Sequence, residues 1–149
     1  MTKSISTASF VALFAAACGS PLGTDPYTAS LICGDGCNHD PSAGGMGTAF
    51  VDPVTGQVEI EVSGLPQLEG EVYEGWLAGG YVFNSPIATG RFNVDENGDG
   101  SSSIFLGDIT EQTWDTVVLT VEPDPDPDPG PDPRHSIGGP LEVLLDPGS

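Results

Sequence analysis

The stretch EVYEGWLAGGYVFNSPIATGRFNVDENG, residues 71–98, decides the fold. Within it, residues 72–77 carry apolar side chains on both alternating faces, which predicts a central strand of a sheet. Gly75 is expected to leave room for a neighbouring ring or backbone. Trp76 is predicted to lie at the centre of the hydrophobic core.

Segments on either side of this stretch also alternate with period two. Residues 57–63 show the cleanest pattern, with three β-branched residues facing one way and polar residues facing the other. Further strands are predicted at residues 48–52, 87–94, 103–106, 114–121 and 141–145. The pattern predicts an all-β domain over residues 47–145, a small antiparallel β-sandwich (Ig-like or similar), with a short tail at 146–149.

Alternating proline and aspartate fill residues 123–133 (PDPDPDPGPDP). Proline removes backbone donors and favours an extended conformation, so this segment cannot be a central strand. It is predicted to be a stiff acidic loop that leaves the domain and rejoins it.

Charge is strongly unbalanced, with 22 acidic and 3 basic residues and a formal net charge of −19. Such a chain repels phosphate backbones, so nucleic acid is not expected as a partner. It also repels anionic headgroups, so attachment to a membrane requires a covalent lipid. Solubility at high ionic strength explains the charge most simply, and binding of divalent cations is the alternative.

Residues 1–17 read as a signal peptide, with Lys3 at the start and a ten-residue apolar run (ASFVALFAAA) too short to span a bilayer. The sequence Ala15-Ala16-Ala17-Cys18 resembles the lipobox of bacterial lipoproteins, which predicts lipidation of Cys18. Several acyl chains, each contributing about 0.8 kcal/mol per buried CH₂, would make a durable anchor. Signal cleavage with an unmodified Cys18 is the alternative. The expected location is the cell envelope, at the outer membrane, facing the periplasm or the surface.

Residues 18–46 are rich in Gly, Ser, Pro, Thr and Asp, without an apolar period, which predicts a flexible tether. Cys33 and Cys37 lie within it, and an exported compartment favours a disulfide between them. The short loop would contribute about 2 kcal/mol in the entropic model. Metal ligation by Cys33, Cys37 and His39 is the alternative, although zinc sites want four ligands and no second Cys/His pair follows.

Glu74 and Arg91 are hypothesised to pair across adjacent strands. Glu74 stands between apolar residues on its face, and an unpaired buried carboxylate would be costly. Two unrelated surface charges are the alternative.

Asp95, Asn97 and Asp99 match the first half of a calcium-binding loop, D-x-N-x-D-G. A complete EF-hand loop needs a bidentate Glu at its twelfth position, where Leu106 stands, and flanking helices. A hairpin turn is the alternative. Calcium is therefore a possible ligand, and no other cofactor is expected.

No catalytic residues are predicted. The predicted domain has no Cys, and its single His, His135, lies inside the Pro-rich loop, so a Ser-His-Asp arrangement has little to draw on. The protein is not expected to be an enzyme.

Four motifs occur in order: Gly64-Leu65-Pro66, YEGWL at residues 73–77, ATGRF at residues 88–92, and a strand ending in Glu122-Pro123 before a Pro-rich stretch. Together they resemble the extracytoplasmic C-terminal domain of anti-sigma-K factors, over about two-thirds of the chain. The resemblance implies an all-β, sandwich-like domain outside the cytoplasm.

Anti-sigma factors of that family also carry a sigma-binding domain and a membrane-spanning helix. This sequence has no apolar run of 18 or more residues, and no helical segment is left over to grip a sigma factor, so a sigma factor is not expected as a partner. The expected function is a non-catalytic envelope lipoprotein with a sensor or interaction domain for an envelope protein or small ligand. The alternative is a calcium-binding or structural acidic surface protein.

Overall fold

A computed structural model describes residues 24–79 and 86–144 of the chain. The strands found there are β1 (Tyr27–Ile32), β2 (Met46–Asp52), β3 (Gln57–Ser63), β4 (Glu71–Ala78), β5 (Ile87–Phe92), β6 (Gly100–Phe105), β7 (Thr116–Pro123), β8 (His135–Pro140) and β9 (Glu142–Val143). The helical element in the described ranges is a 3-10 turn at Asp40–Ser42. No helix in the described ranges is long and apolar enough to cross a membrane.

All strand pairs are antiparallel and belong to one sheet in the order β5-β4-β7-β8-β1-β2-β3-β6, with β9 continuing beside β1. The sheet curls until it is nearly closed. A Cβ placed on Gly90 of β5 would lie 3.3 Å from Cγ2 of Ile104 in β6, so the two terminal strands of the order lie side by side. The prediction of an all-β antiparallel fold is confirmed, and its two layers are parts of one continuous sheet.

Strand β3 follows the predicted alternation. Val58, Ile60 and Val62 are buried and Glu61 is exposed, and the strand has the predicted bounds. Inward-facing side chains of this kind from six strands and four loop positions form one apolar cluster. Its members are Ala29, Leu31, Ala49, Val51, Val58, Ile60, Val62, Leu65, Tyr73, Leu77, Val94, Ile109, Trp114, Val117, Leu119, Val121 and Ile137.

Strand β4 is central, as predicted, because it pairs with β5 on one side and β7 on the other. A Cβ on Gly75 would lie 2.3 Å from Oγ1 of Thr89 and 2.7 Å from Cδ1 of Ile60 in β3, so the two layers meet closely here. Trp76 is buried, at 4% exposure, but it does not belong to the apolar cluster. Its predicted burial is confirmed, although alternation turns it to the outer face of β4, opposite Tyr73 and Leu77, and so away from the centre of the main cluster.

The predicted tether over residues 18–46 is wrong within residues 27–32. These residues form β1, which lies between β8 and β2 and places Ala29 and Leu31 in the core. Ala29 is small and its neighbours Thr28 and Ser30 carry hydroxyl groups, so the alternation of apolar and polar residues is weak in this part of the sequence. Pairing with β8 on one side and β2 on the other stabilises the strand instead. The domain therefore begins before residue 47.

The Asp-Pro segment is a loop between β7 and β8, as predicted, except that Pro123 is the last residue of β7 and pairs with Glu71 of β4. Strand β8 was not predicted, since its sequence HSIGGP has two glycines and a proline. The predicted strand at 141–145 contains the short β9. The predicted signal peptide, Cys18 and the tail at 146–149 lie outside the described residues.

Candidate functional site

The outer face of β4 and β7 is buried although it points away from the core. We call Glu74, Trp76, Thr120 and Glu122 the covered face. Their exposures are 8%, 4%, 1% and 1%, values typical of a protein interior. The Asp-Pro loop (residues 124–134) contacts this face: the backbone N–H of Asp132 donates to Oε1 of Glu122 over 2.8 Å.

A chain of hydrogen bonds crosses the covered face. Nε1 of Trp76 donates to Oγ1 of Thr120 over 2.8 Å, and Oγ1 of Thr120 donates to Oε1 of Glu122. The Glu122 carboxylate therefore accepts from a side chain and from the loop backbone. Such donors are what a buried carboxylate requires.

Arg91 joins the covered face to the loop. It is the cross-strand neighbour of Glu74, and its Nη1 lies 3.6 Å from Oε1 of Glu74 and 3.3 Å from Oδ2 of Asp126. Its Nη2 donates to the Pro123 carbonyl over 2.8 Å and lies 3.7 Å from Oδ1 of Asp124. The predicted pairing of Glu74 with Arg91 is confirmed.

Burial raises the pKa of Glu74 above its ordinary value. The Arg91 guanidinium opposes this rise, whereas the carboxylates of Glu122 and Asp126 add to it. Burial and like charge together outweigh the cation, so ionised Glu74 costs folding free energy.

Carboxylate oxygens of Glu74, Glu122 and Asp126 lie within 4.8 Å of one another. Such oxygens suit a hard divalent cation. Here, however, the Arg91 guanidinium forms ion pairs with Glu74 and Asp126. The protein thus supplies positive charge to this cluster from its own chain.

Arg134 holds the other end of the Asp-Pro loop. Its Nη1 pairs with Glu71 of β4, and its Nε lies 3.0 Å from Oδ1 of Asp132. The hydrogen bond from Arg134 is the main cause that lowers the pKa of Asp132. Both arginines of the sequence are therefore used to fasten one acidic loop to β4 and β5.

Asp95, Asn97 and Asp99 lie together in the turn that joins β5 to β6. Oδ1 of Asp95 accepts from the backbone N–H groups of Asn97, over 2.8 Å, and Asp99, over 3.0 Å. The Gly98 N–H donates to the Asp95 carbonyl over 3.0 Å. The arrangement is an Asx-type hairpin turn, and calcium binding there stays a prediction.

Cys33 and Cys37 form the predicted disulfide, in the loop after β1. The alternative of metal ligation by Cys33, Cys37 and His39 is wrong because both thiols are consumed.

His39 has a different role, which the sequence did not reveal. Its Nδ1 lies 2.8 Å from Oγ of Ser42, which lies 2.6 Å from Oγ of Ser136. Both serines are fully buried, at 0% and 1% exposure, so neither hydroxyl can reach a substrate. Burial lowers the pKa of His39. The trio ties the 3-10 turn to β8.

The outer face of β1, β2, β3 and β6 is exposed, in contrast to the covered face. We call Ile32, Met46, Thr48, Glu61, Asp99 and Ser101 the open face. Ile32 and Met46 are cross-strand neighbours with exposures of 57% and 58%. The other four and Met46 line a groove of about 700 Å³. The ion pairs of the described residues all involve Arg91 or Arg134, and none includes Glu61 or Asp99.

Comparisons with known proteins add no relative: no family model, no curated protein and no solved structure shows a significant match to this chain.

Proposed function

We propose that this protein is a non-catalytic lipoprotein of the cell envelope whose β-domain is an interaction module. The observation that carries the proposal is the open face, an outer surface of a nearly closed sheet with exposed apolar side chains and with carboxylates that take part in none of the ion pairs of the described residues. Exposed apolar patches rimmed by polar groups mark interaction sites. The resemblance to the extracytoplasmic domain of anti-sigma-K factors supports a sensor-like role, without a sigma factor as partner.

Catalysis is not part of the proposal. The His39–Ser42–Ser136 trio has the residue types of a nucleophile and its base, but both hydroxyls are buried. The carboxylate cluster of the covered face lies against Arg91 and beneath the Asp-Pro loop. Neither group offers a reactive atom to a substrate.

Anchoring rests on the lipobox-like sequence that ends at Cys18. Cells that express the full chain would be labelled with a radioactive fatty acid and fractionated. We expect label on the wild-type protein in the membrane fraction. We expect no label on a Cys18→Ala variant, which would leave that fraction. An unlabelled wild-type protein free in solution would overturn the anchor.

A calcium-dependent surface protein is the second candidate, favoured by the three close carboxylates of Glu74, Glu122 and Asp126. Calcium titration of the full chain, followed by the fluorescence of Trp76 and Trp114, separates it from the first. Trp76 is hydrogen-bonded within this network and would report on an ion there. Because Arg91 already pairs with two of the carboxylates, we expect no saturable response at millimolar calcium, and a saturable one would favour the second candidate.

A further inference from the structure

We infer that the open face docks a basic protein segment that carries apolar side chains beside its lysines or arginines. This inference rests on the proposed function and names the class of partner for the interaction module.

The apolar part of the open face is a pair of side chains. Ile32 of β1 and Met46 of β2 stand directly opposite each other, and both are more than half exposed. Directly opposed residues of an antiparallel pair point to the same face, so the two side chains form one patch. Methionine adapts its shape to a partner and is enriched at interfaces.

The charged part lies beside this patch. Thr48 pairs with Glu61, which pairs with Ser101, so the three strands present their side chains in one row. Asp99 stands two residues before Ser101 and lines the same groove. The ion pairs of the described residues all engage Arg91 or Arg134, so the exposed carboxylates of Glu61 and Asp99 take part in none of them.

The groove runs over the backbone of β2, β3 and β6. Gly47, between Met46 and Thr48, and Gly100, beside Ser101, line it together with the side chains of the open face. An extended segment fits such a floor, with alternate side chains directed into it.

Charge complementarity selects the occupant. A second copy of this chain would place Glu61 and Asp99 against another acidic surface, since the chain has 22 acidic and 3 basic residues. Nucleic acid is repelled for the same reason. A segment that alternates cationic and apolar side chains can place its cations beside Glu61 and Asp99 and pack its apolar side chains against Ile32 and Met46.

The test uses a fluorescent peptide of alternating lysine and leucine, about six residues long, which is the length of a typical strand. The full chain is titrated into it and anisotropy is measured. We expect saturable binding that weakens as salt rises. A peptide of alternating glutamate and leucine should not bind, and binding of that peptide with equal affinity would overturn the charge argument.

A charge variant and its matched control locate the site. Glu61→Gln combined with Asp99→Asn should weaken binding about tenfold, because two charge contacts are lost. Glu111→Gln combined with Glu142→Gln removes the same charge from exposed positions elsewhere and should leave affinity within about twofold. Equal weakening by both double variants would show attraction to general acidity and overturn the site.

Met46→Ser tests the apolar part. It should weaken binding about threefold or more, whereas Val54→Ser, which removes an exposed apolar side chain at the other end of β2, should not. Amide NMR of the full chain with the peptide should shift Met46, Thr48, Glu61 and Ser101. Shifts confined to the Asp-Pro loop, or no binding at all, would overturn the inference.

The proposed function is tested by a different measurement, fatty-acid labelling at Cys18. If fatty-acid labelling at Cys18 succeeds and this peptide does not bind, the envelope lipoprotein stands and the docking surface falls. If the peptide binds at the open face and Cys18 carries no lipid, the docking surface stands without the anchor.

Discussion

The covered face and the open face lie on one sheet and follow the same alternation, yet their side chains meet opposite environments. On both, polar and apolar residues point away from the core cluster. Trp76 and Glu122 are almost fully buried, whereas Met46 and Glu61 are exposed. The difference comes from a segment far along the chain, because the Asp-Pro loop contacts the first face and no described segment covers the second.

The positions of the two arginines also distinguish the covered face from the open face. Arg91 and Arg134 both lie at the edges of the covered face, where buried carboxylates require compensation. The carboxylates of the open face are hydrated and need none. In an acidic protein with three basic residues, the position of each arginine shows where charge has to be buried.

The largest expected effect compares two aromatic residues. Trp76→Ala should lower the free energy of unfolding by about 3–5 kcal/mol, because it empties a buried site and removes the donor to Thr120. Phe105→Ala, at a position 70% exposed on β6, should change it by less than about 0.5 kcal/mol. Urea unfolding followed by circular dichroism measures both, and similar losses would contradict the burial of the covered face.

A smaller effect is expected from Arg91→Ala. The change leaves Glu74 and Asp126 without their cation, and we expect a loss of about 2 kcal/mol, less than for a deeply buried pair because the Arg91 side chain is 34% exposed. Hydrogen exchange at the Asp132 amide, which donates to Glu122, should become faster as the loop loosens.

Glu61→Ala is the control for Arg91→Ala, since it removes a charge from the open face. It should stay within about 0.5 kcal/mol of the wild type and leave exchange at Asp132 unchanged. A stable Arg91→Ala variant with a protected Asp132 amide would show that the arginine does not hold the loop.

The smallest effect is expected for Glu74→Gln, which should change how the free energy of unfolding depends on pH. The folded-state pKa of Glu74 is raised above its ordinary value of 4.5, so the folded protein binds this proton more tightly than the unfolded chain does. The wild type should therefore lose stability as pH rises from 4.5 through the raised pKa, and the Gln variant should lack this loss. At neutral pH the Gln variant should therefore be more stable than the wild type.

Unfolding midpoints at acid and neutral pH measure this difference. A Gln variant that is less stable than the wild type at neutral pH, but equal to it in acid, would reverse the sign and show that the ion pair with Arg91 outweighs burial.

Clean local patterns explain which parts of the fold were predictable. Strand β3 had its bounds and buried residues predicted because period two is unbroken there. The pairing of Glu74 with Arg91 followed from carboxylate and guanidinium on adjacent predicted strands. Strands β1 and β8 escaped prediction because alanine, serine and glycine carry little periodic signal, and long-range pairing stabilises them.

The covered face could not be predicted in this way. Its burial depends on Asp126 and Asp132 returning to β4 and β7, and no local pattern encodes where a loop lands. Trp76 was expected inside the core because its hydrophobicity indicates burial, whereas its side chain is buried on the outer face, hydrogen-bonded to Thr120.

Taken alone, the order of residues determined that the chain folds into antiparallel strands and that Cys33 meets Cys37, and it suggested that Glu74 meets Arg91, because each depends on alternation or on closeness along the chain. Tertiary structure decided which outer surface is covered and which stays exposed. That choice depends on contacts between residues far apart in the chain, whose energies exist only once the sheet has curled and the loop has closed over it.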